Sequence, residues 1–292
     1  MPTLTTPAPA LTHQAPPAPA VAVEPLEFAV FVSSTDSYAD CWTPFFTLFK
    51  HYWPNFRGRI YLSTETKTFE FPGLDIVCTQ VARFAGGKTP MMHGRRLKLA
   101  FQHVVKEDLV LYLHEDMFLT DFVRENVLQD IARTMRANQL LFTILSEAGN
   151  RGRTYATPWS HLLELDPENN YFFSAMAGMW HVPRMARYLR SHETPWQTEF
   201  YVKRRLRRHR ERAFTLDLNL HAWPHNAVFP FSPDTGIATG RWHRHVVEDL
   251  FAQHHIALDF TQRGFFDPNQ SAPAPIPQPF WKRLLSALRS RW

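Results

Sequence analysis

Cysteine is almost absent from this sequence. Its 292 residues include only two cysteines, Cys41 and Cys78. Two cysteines cannot build the network of cross-links that defines a disulfide scaffold, and they are too few for a cysteine-rich zinc site. We therefore expect both to be inert thiols inside a protein of a reducing compartment.

Long apolar runs are also missing. No stretch approaches the roughly 20 residues that a membrane-spanning helix needs, and the first residues lack the basic and apolar regions of a signal peptide. These absences predict a cytoplasmic protein. Hydrophobic residues make up 45% of the chain, which is enough to bury the core of one or two globular domains. The formal net charge of +5 indicates an anionic partner without identifying it.

Proline and alanine are concentrated near both ends of the chain. Residues 1–25 have no apolar periodicity and are predicted to be a disordered lead, and residues 271–279 are predicted to be a Pro-rich linker. Residues 280–292 then form a basic amphipathic pattern suited to an anionic membrane surface. This segment predicts peripheral attachment to the cytoplasmic face of the inner membrane. The alternative is a short helix that packs against the body of the protein.

Between these ends, short apolar runs alternate with segments of helical periodicity. The run at residues 26–34 predicts the first strand, and Trp42, Phe45 and Phe49 then recur at helical spacing. The alternation continues and predicts an α/β fold, a doubly wound and largely parallel sheet with helices on both faces. We expect one domain over residues 26–270, in which Asp121 caps a helix.

The stretch "EDLVLYLHEDMFLT" ends a strongly apolar run with His114, Glu115 and Asp116. A strand that is apolar throughout is buried on both faces of a parallel sheet, and such sheets bind ligands beyond the carboxyl ends of their strands. Strand alternation points His114 and Asp116 one way and Glu115 the other, unless the chain has already turned. A carboxylate there can hold a divalent cation that neutralises a diphosphate. The alternative is that these residues only cap the strand.

Five segments, in their order along the chain, resemble bacterial glycosyltransferases of the GT-A fold, which is Rossmann-like. They are "FAVFVSSTDSYADCWTPFFTLFKHYWP", "RRLKLAF", "LYLHEDMFLT", "SAMAGMW…TPWQTEF" and "GIATGRW…HHIALDFTQRGFFD", and together they span about residues 28–268. The resemblance implies a donor half at about 26–150 that binds a nucleotide sugar, and an acceptor half at about 151–270. It also implies a glycan or lipid-linked acceptor in the biosynthesis of a cell-surface polysaccharide.

The resemblance further implies a set of donor-binding residues. Those are Ser33, Ser34, Thr35, Asp36, Arg96, Glu115 and Asp116. Hydroxyl and carboxylate groups after the first strand suit a ribose or a base edge, and the arginine suits a diphosphate. The same Ser, Thr and Asp side chains are equally suited to a turn and a helix cap, so both interpretations stay open.

The acidic motif departs from the family pattern. His114 stands where the family has its first carboxylate, which leaves Asp116 as the implied metal ligand, with His114 and Glu115 as further candidates. Imidazole favours Mn²⁺ over Mg²⁺, so a divalent cation of either kind fits the motif. An enzyme that works without a metal stays open as well.

The segment "ETPWQTEF" predicts the start of a helix. Thr194 as N-cap, Pro195 at the first helical position and Gln197 form a capping box. By resemblance, Glu199 is the general base that deprotonates an acceptor hydroxyl in an inverting transfer. The alternative is an ion pair between Glu199 and Lys203 one turn later.

Three further residues are predicted to contact the acceptor. Trp196 can stack on a sugar ring or join the core, while Arg241 and Trp242 lie in a turn-rich loop.

A basic run at residues 203–212 raises a different function, nucleic-acid binding. The run has no interleaved aromatic residues and no reading motif, so we expect no nucleic-acid partner. A donor-binding scaffold without catalytic activity is the third hypothesis.

Overall fold

The computed structural model describes residues 25–147, 151–269 and 289–290. Over these residues the chain builds a nine-stranded sheet and a separate two-stranded ribbon. The sheet strands are β1 (Ala29–Ser33), β2 (Arg59–Leu62), β3 (Asp75–Cys78), β4 (Leu109–His114), β5 (Phe142–Ile144), β6 (Thr154–Ala156), β7 (Leu162–Leu165), β8 (Gly178–His181) and β9 (Phe214–Leu216). The ribbon strands are β10 (Ile237–Ala238) and β11 (Arg241–Trp242).

The sheet has the strand order β3-β2-β1-β4-β8-β5-β9-β7-β6. The pairs β3–β2, β2–β1, β1–β4 and β5–β9 are parallel, whereas β8 runs antiparallel to both β4 and β5. The last strands, β7 and β6, are antiparallel additions at the edge. Because Ser33 pairs with His114, the carboxyl ends of β1 and β4 lie side by side.

Helices cover both faces of the sheet. They are α1 (Trp42–Tyr52), α2 (His93–His103), α3 (Glu125–Ala137), α4 (Val182–Met185), α5 (Pro195–Arg208), α6 (Leu218–His221) and α7 (Arg244–Gln253). Helices α1, α3 and α7 pack in one hydrophobic core, and α2, α4 and α5 pack in another.

Strand β4 shows why its sequence is apolar throughout. Leu109, Leu111 and Leu113 belong to the first core, whereas Val110 and Tyr112 belong to the second. Alternate side chains of one strand therefore enter opposite cores, as the period of two requires. The predicted α/β fold, with a largely parallel sheet and helices on both faces, is confirmed.

One local prediction is wrong. Asp121 does not cap α3, because that helix begins at Glu125 and its N-cap residue is Arg124, which makes no side-chain cap. The Asp121 carboxylate instead accepts a hydrogen bond from the backbone N–H of Phe122.

The predicted lead, the linker and most of the basic C-terminal segment lie outside the described residues. Ser290, which is described, is buried. Its carbonyl accepts a hydrogen bond from Arg205 and its hydroxyl lies 2.9 Å from His192 Nε2. These contacts favour packing against the body at this position. None of the helices in the described ranges combines the length and the hydrophobicity needed to cross a bilayer.

Candidate active site

A cavity of about 550 Å³ opens beyond the carboxyl ends of β1 and β4. This is the edge of the sheet at which the sequence places a ligand site. The cavity brings together nine of the predicted site residues. They are Ser33, Ser34, Thr35, Arg96, His114, Glu115, Asp116, Trp196 and Glu199.

The acidic motif turns as soon as β4 ends. The backbone N–H of Met117 donates to the carbonyl of His114, which closes a tight turn over Glu115 and Asp116. Strand alternation therefore stops at His114, and all three polar side chains line the same cavity. The turn thus resolves the question of which way each side chain faces.

The two carboxyl groups of this turn are held out of water. Burial, and then the negative charge of Asp116, raise the pKa of Glu115 to about 8. Burial also raises the pKa of Asp116, against the opposing effects of His114 and a hydrogen bond from Thr235. A cavity that raises the pKa of two adjacent acids favours either a shared proton or a bound cation.

His114 has a defined proton position. Its Nε2 lies 2.7 Å from the carbonyl oxygen of Ala175. A carbonyl can only accept, so Nε2 carries a hydrogen and donates it to Ala175. No group of three or more His, Cys, Asp or Glu side chains in the described ranges is arranged to hold a metal ion by itself.

Arg96 lies on α2 and points into the cavity from a buried position. Its Nη1 donates to the carbonyl of Met91 at 2.7 Å. Burial lowers the pKa of Arg96, and the carboxylates of Glu65 and Glu115 partly offset that effect. A largely desolvated guanidinium beside two acids supplies a positive charge where an anionic ligand would enter.

The residues after β1 divide between the cavity and the scaffold. Ser34 Oγ accepts a hydrogen bond from the indole of Trp42 at 2.8 Å, and Thr35 caps the following 3₁₀ helix by accepting from the N–H of Ser37. Ser33, Ser34 and Thr35 all line the cavity as well. Thr35 is therefore a helix cap, as one of the two interpretations proposed, and it lines the candidate site as well.

The prediction that Asp36 contacts the donor has to be corrected, because the Asp36 side chain does not line this cavity. The carboxylate accepts from the backbone N–H groups of Glu65, Thr66 and Lys67 and from the Thr66 hydroxyl. Burial opposes ionisation, but these hydrogen bonds outweigh it and lower the pKa of Asp36. Asp36 therefore anchors the loop after β2. Its partners lie about thirty residues away, so local sequence could not reveal them.

Glu199 lies in the second turn of α5. The predicted capping box is confirmed, since Thr194 Oγ1 accepts from Gln197 N and Gln197 Oε1 accepts from Thr194 N. Glu199 Oε1 accepts from the Ser174 hydroxyl at 3.1 Å and from Ala175 N at 2.7 Å. No hydrogen bond to Oε2 is found within the described ranges.

The alternative partner of Glu199 is engaged elsewhere. Lys203 Nζ donates to the carbonyl of Asn170 at 2.8 Å. The Glu199–Lys203 ion pair considered from the sequence is absent from the described part of the chain. Glu199 instead borders two cavities, the large one and a second of about 270 Å³.

The three predicted acceptor residues have different environments. Trp196 is 81% exposed at the rim of the large cavity. Arg241 is exposed but does not line the cavity. Trp242 is fully buried and packs against Phe118 and Phe251, so its predicted contact with an acceptor is wrong. A tryptophan beside a turn suits a core equally well, and this one joins the core.

The turn-rich loop that precedes Arg241 closes one side of the cavity, through two threonines that the sequence analysis did not single out. Thr235 and Thr239 both line it and both have positive φ, 41° and 49°. This backbone region is strained for β-branched residues. Between them, Gly236 donates its N–H to the Asp116 carbonyl at 2.7 Å. A Cβ on Gly236 would lie 2.1 Å from the Phe118 ring, so only glycine permits this approach.

A second missed feature joins distant parts of the chain. Arg263 pairs with Asp40 through two contacts, Nε–Oδ2 at 2.5 Å and Nη2–Oδ1 at 2.6 Å. Its guanidinium also lies 4.2 Å from the ring centroid of Tyr38, which lines the cavity. Arg263 thus positions Tyr38. It occurs in the resembling segment "TQRGFFD", but its partner is 223 positions away.

The basic run is largely engaged in internal contacts. Arg205 is buried in a two-contact ion pair with Glu193, and Arg212 makes a similar pair with Glu164. Arg207 donates to the carbonyl of Asn169. These contacts hold α5 in place and favour a structural role for much of the run.

No protein-family model and no curated protein sequence matches the chain. The solved structures that are similar to it include the following two. S. aureus TarS 1-349 has 12% identity and a TM-score of 0.41 over 65% of this chain and 57% of that one. An active-site mutant of LgtC has 14% identity and a TM-score of 0.43 over 79% of this chain and 96% of that one. Similarity at this level assigns no function.

Proposed function

We propose that the protein is a glycosyltransferase. It would move a sugar from a nucleotide-sugar donor to an acceptor hydroxyl in the synthesis of a cell-surface glycan. The observation that carries the proposal is a hydrogen-bonded connection across the large cavity. The Ala175 carbonyl contacts His114 of the acidic turn, and the Ala175 N–H donates to Glu199. The backbone of one residue, Ala175, thereby fixes a candidate base relative to a candidate diphosphate site.

The donor would lie along the carboxyl ends of β1 and β4. Ser33, Ser34 and Thr35 offer hydroxyl groups to the nucleoside, while the buried guanidinium of Arg96 is suited to the diphosphate. This arrangement follows the general location of ligands in parallel sheets.

A divalent cation fits the acidic turn. Two adjacent desolvated carboxyl groups, Glu115 and Asp116, line the same cavity. Mg²⁺ and Mn²⁺ are commonly held by one or two carboxylates together with phosphate oxygens of the substrate. When bound, the ion would neutralise charge on the departing diphosphate. Replacing Asp116 with Asn should therefore weaken donor binding.

Glu199 would accept the proton of the acceptor hydroxyl. Two hydrogen bonds to Oε1 fix the carboxylate, and Oε2 is free of hydrogen bonds among the described residues. Because Glu199 borders both cavities, it can deprotonate an acceptor bound in one while the donor is bound in the other. A single displacement of this kind inverts the anomeric configuration.

The acceptor would be a glycan or a lipid-linked saccharide at the cytoplasmic face of the inner membrane. The basic C-terminal segment supports this proposal through its charge and its aromatic residues. Flotation with anionic liposomes tests it, since a chain truncated after Gln270 should bind less than the full chain. Equal binding would exclude the tail as the anchor.

Donor screening tests the function as a whole. Thermal unfolding of the purified protein should shift upward with one class of UDP- or GDP-sugar, and Mn²⁺ should enlarge the shift. Release of nucleoside diphosphate then separates an enzyme from an inactive scaffold, which would bind without release. Binding of no nucleotide sugar, with or without Mn²⁺, would contradict the proposal. Salt-sensitive retention on DNA or RNA would instead favour nucleic-acid binding.

A further inference from the structure

A second cavity of about 270 Å³ adjoins the large one. It lies between the segment that precedes β8 and the segment that follows α6. The two cavities share Met176 and Glu199 in their linings. Both shared residues stand where the two spaces meet.

The partition between the cavities is built from three consecutive residues. Ser174 faces the second cavity, Ala175 faces the first, and Met176 faces both. Ser174 and Ala175 are also the two residues that donate hydrogen bonds to Glu199 Oε1. The partition therefore holds the Glu199 carboxylate at the passage between the two spaces.

Four aromatic side chains, Tyr171, Trp223, Phe229 and Phe231, contribute to the lining of the second cavity. Tyr171 and Trp223 are each 36% exposed, so ring surface is open to a ligand, while Phe229 and Phe231 are buried beneath. Sites of this kind bind the apolar face of a ring and orient it with a few polar groups.

The charge and the size of the second cavity further restrict the class of ligand that it can bind. Apart from Glu199, the acids and strong bases among the described residues of the lining are one acid, Glu147, and one base, Arg151. That balance suits a neutral ligand better than a phosphate, which arginine clusters bind. Small-molecule pockets commonly measure about 300–1,000 Å³, so a cavity of about 270 Å³ suits one sugar ring.

We propose that the second cavity binds the acceptor as a neutral pyranoside, with its ring against Trp223 and Tyr171 and one hydroxyl towards Glu199. This inference rests on the proposed function. In the reaction, the hydroxyl oxygen forms a bond to the anomeric carbon, and its proton passes to Glu199. The bond from that carbon to the diphosphate oxygen breaks, and its electron pair leaves with the nucleoside diphosphate.

Saturation-transfer NMR tests the site without any donor. The probes are the methyl pyranosides of glucose, galactose, mannose and N-acetylglucosamine. We expect at least one to receive saturation from the wild-type protein. Trp223→Ala and Tyr171→Ala should each weaken its affinity by about tenfold, the loss of one aromatic contact. Trp223→Phe keeps an aromatic face and should retain most of the binding.

The matched control is Phe122→Ala. Phe122 is 59% exposed and lines neither cavity, so its removal should leave the signal unchanged. The far-UV circular dichroism spectrum and the urea-unfolding midpoint of Trp223→Ala should stay close to those of the wild type, which reports that the variant is folded.

The outcomes separate this inference from the proposed function. If the protein hydrolyses a nucleotide sugar but gives no pyranoside signal that depends on Trp223, the acceptor site is overturned and the proposed function is not. If the protein gives such a signal but binds no nucleotide sugar, the carbohydrate site is supported and the proposed transferase function is overturned.

Discussion

Breaking the buried ion pair between Arg205 and Glu193 from one side should strongly destabilise the protein around the helix that carries Glu199. Arg205 is 3% exposed and Glu193 is fully buried, and the pair makes contacts of 2.7 and 2.8 Å. Arg205→Gln removes both contacts and leaves a buried carboxylate without its cation. Breaking a buried pair from one side costs about 3–5 kcal/mol of unfolding free energy.

Urea unfolding measures this loss. The matched control is Arg204→Gln, because Arg204 is exposed on the same helix, 4.3 Å from the centre of the Phe200 ring. We expect the control to change the unfolding free energy by no more than about 0.5 kcal/mol. A double variant, Arg205→Met with Glu193→Leu, should lose less than Arg205→Gln because no unpaired charge remains.

A loss below about 1 kcal/mol for Arg205→Gln, similar to that of Arg204→Gln, would refute this reasoning. It would mean that water or a rearranged side chain compensates Glu193. The expected result also limits how the basic run can be tested. A variant designed to probe its charge must leave Arg205 in place.

Two further predictions concern the large cavity. Because the pKa of Glu115 rises from 4.5 in the unfolded chain to about 8 in the folded one, the folded state binds the extra proton between those values. Stability should therefore fall as pH rises from about 4.5 to about 8, and urea unfolding of Glu115→Gln should show a shallower fall. An identical pH slope in both proteins would contradict the raised pKa. Gly236→Ala should displace the loop over the acidic turn, since its Cβ would lie 2.1 Å from Phe118, and weaken nucleotide-sugar affinity by at least about tenfold. Gly87→Ala is the control, because a Cβ on Gly87 would have nothing within 4 Å, and equal affinities of the two variants in calorimetry would contradict the expectation.

Local sequence patterns correctly predicted those elements of the fold whose stabilising contacts lie close together in the sequence or whose burial shows in the hydrophobic pattern. The run Leu109–Leu113 enters two cores from one strand, and its continuous hydrophobicity reports that burial. The capping box at Thr194 and Gln197 is equally local, because all its partners lie within four residues. Both predictions located candidate site residues, Asp116 and Glu199, at the ends of well-defined elements.

Long-range contacts explain what the sequence could not show. Asp36 follows the first strand, as a ligand-binding residue would, yet its carboxylate accepts hydrogen bonds from a loop about thirty residues later. Arg263 is held by Asp40 and contacts the cavity residue Tyr38, and Thr235 lines the cavity from a loop position with positive φ. Trp242 was mistaken for a surface residue because a turn-rich segment does not reveal what packs behind it.

The most direct test of the central claim is the transfer rate of Glu199→Gln at saturating nucleotide sugar. The variant keeps the size and hydrogen-bonding capacity of the side chain but cannot take up the proton. We predict unchanged donor affinity by calorimetry and a transfer rate reduced by about 10²- to 10⁴-fold. Transfer at a near-normal rate in a folded variant would contradict the assignment of Glu199 as the base.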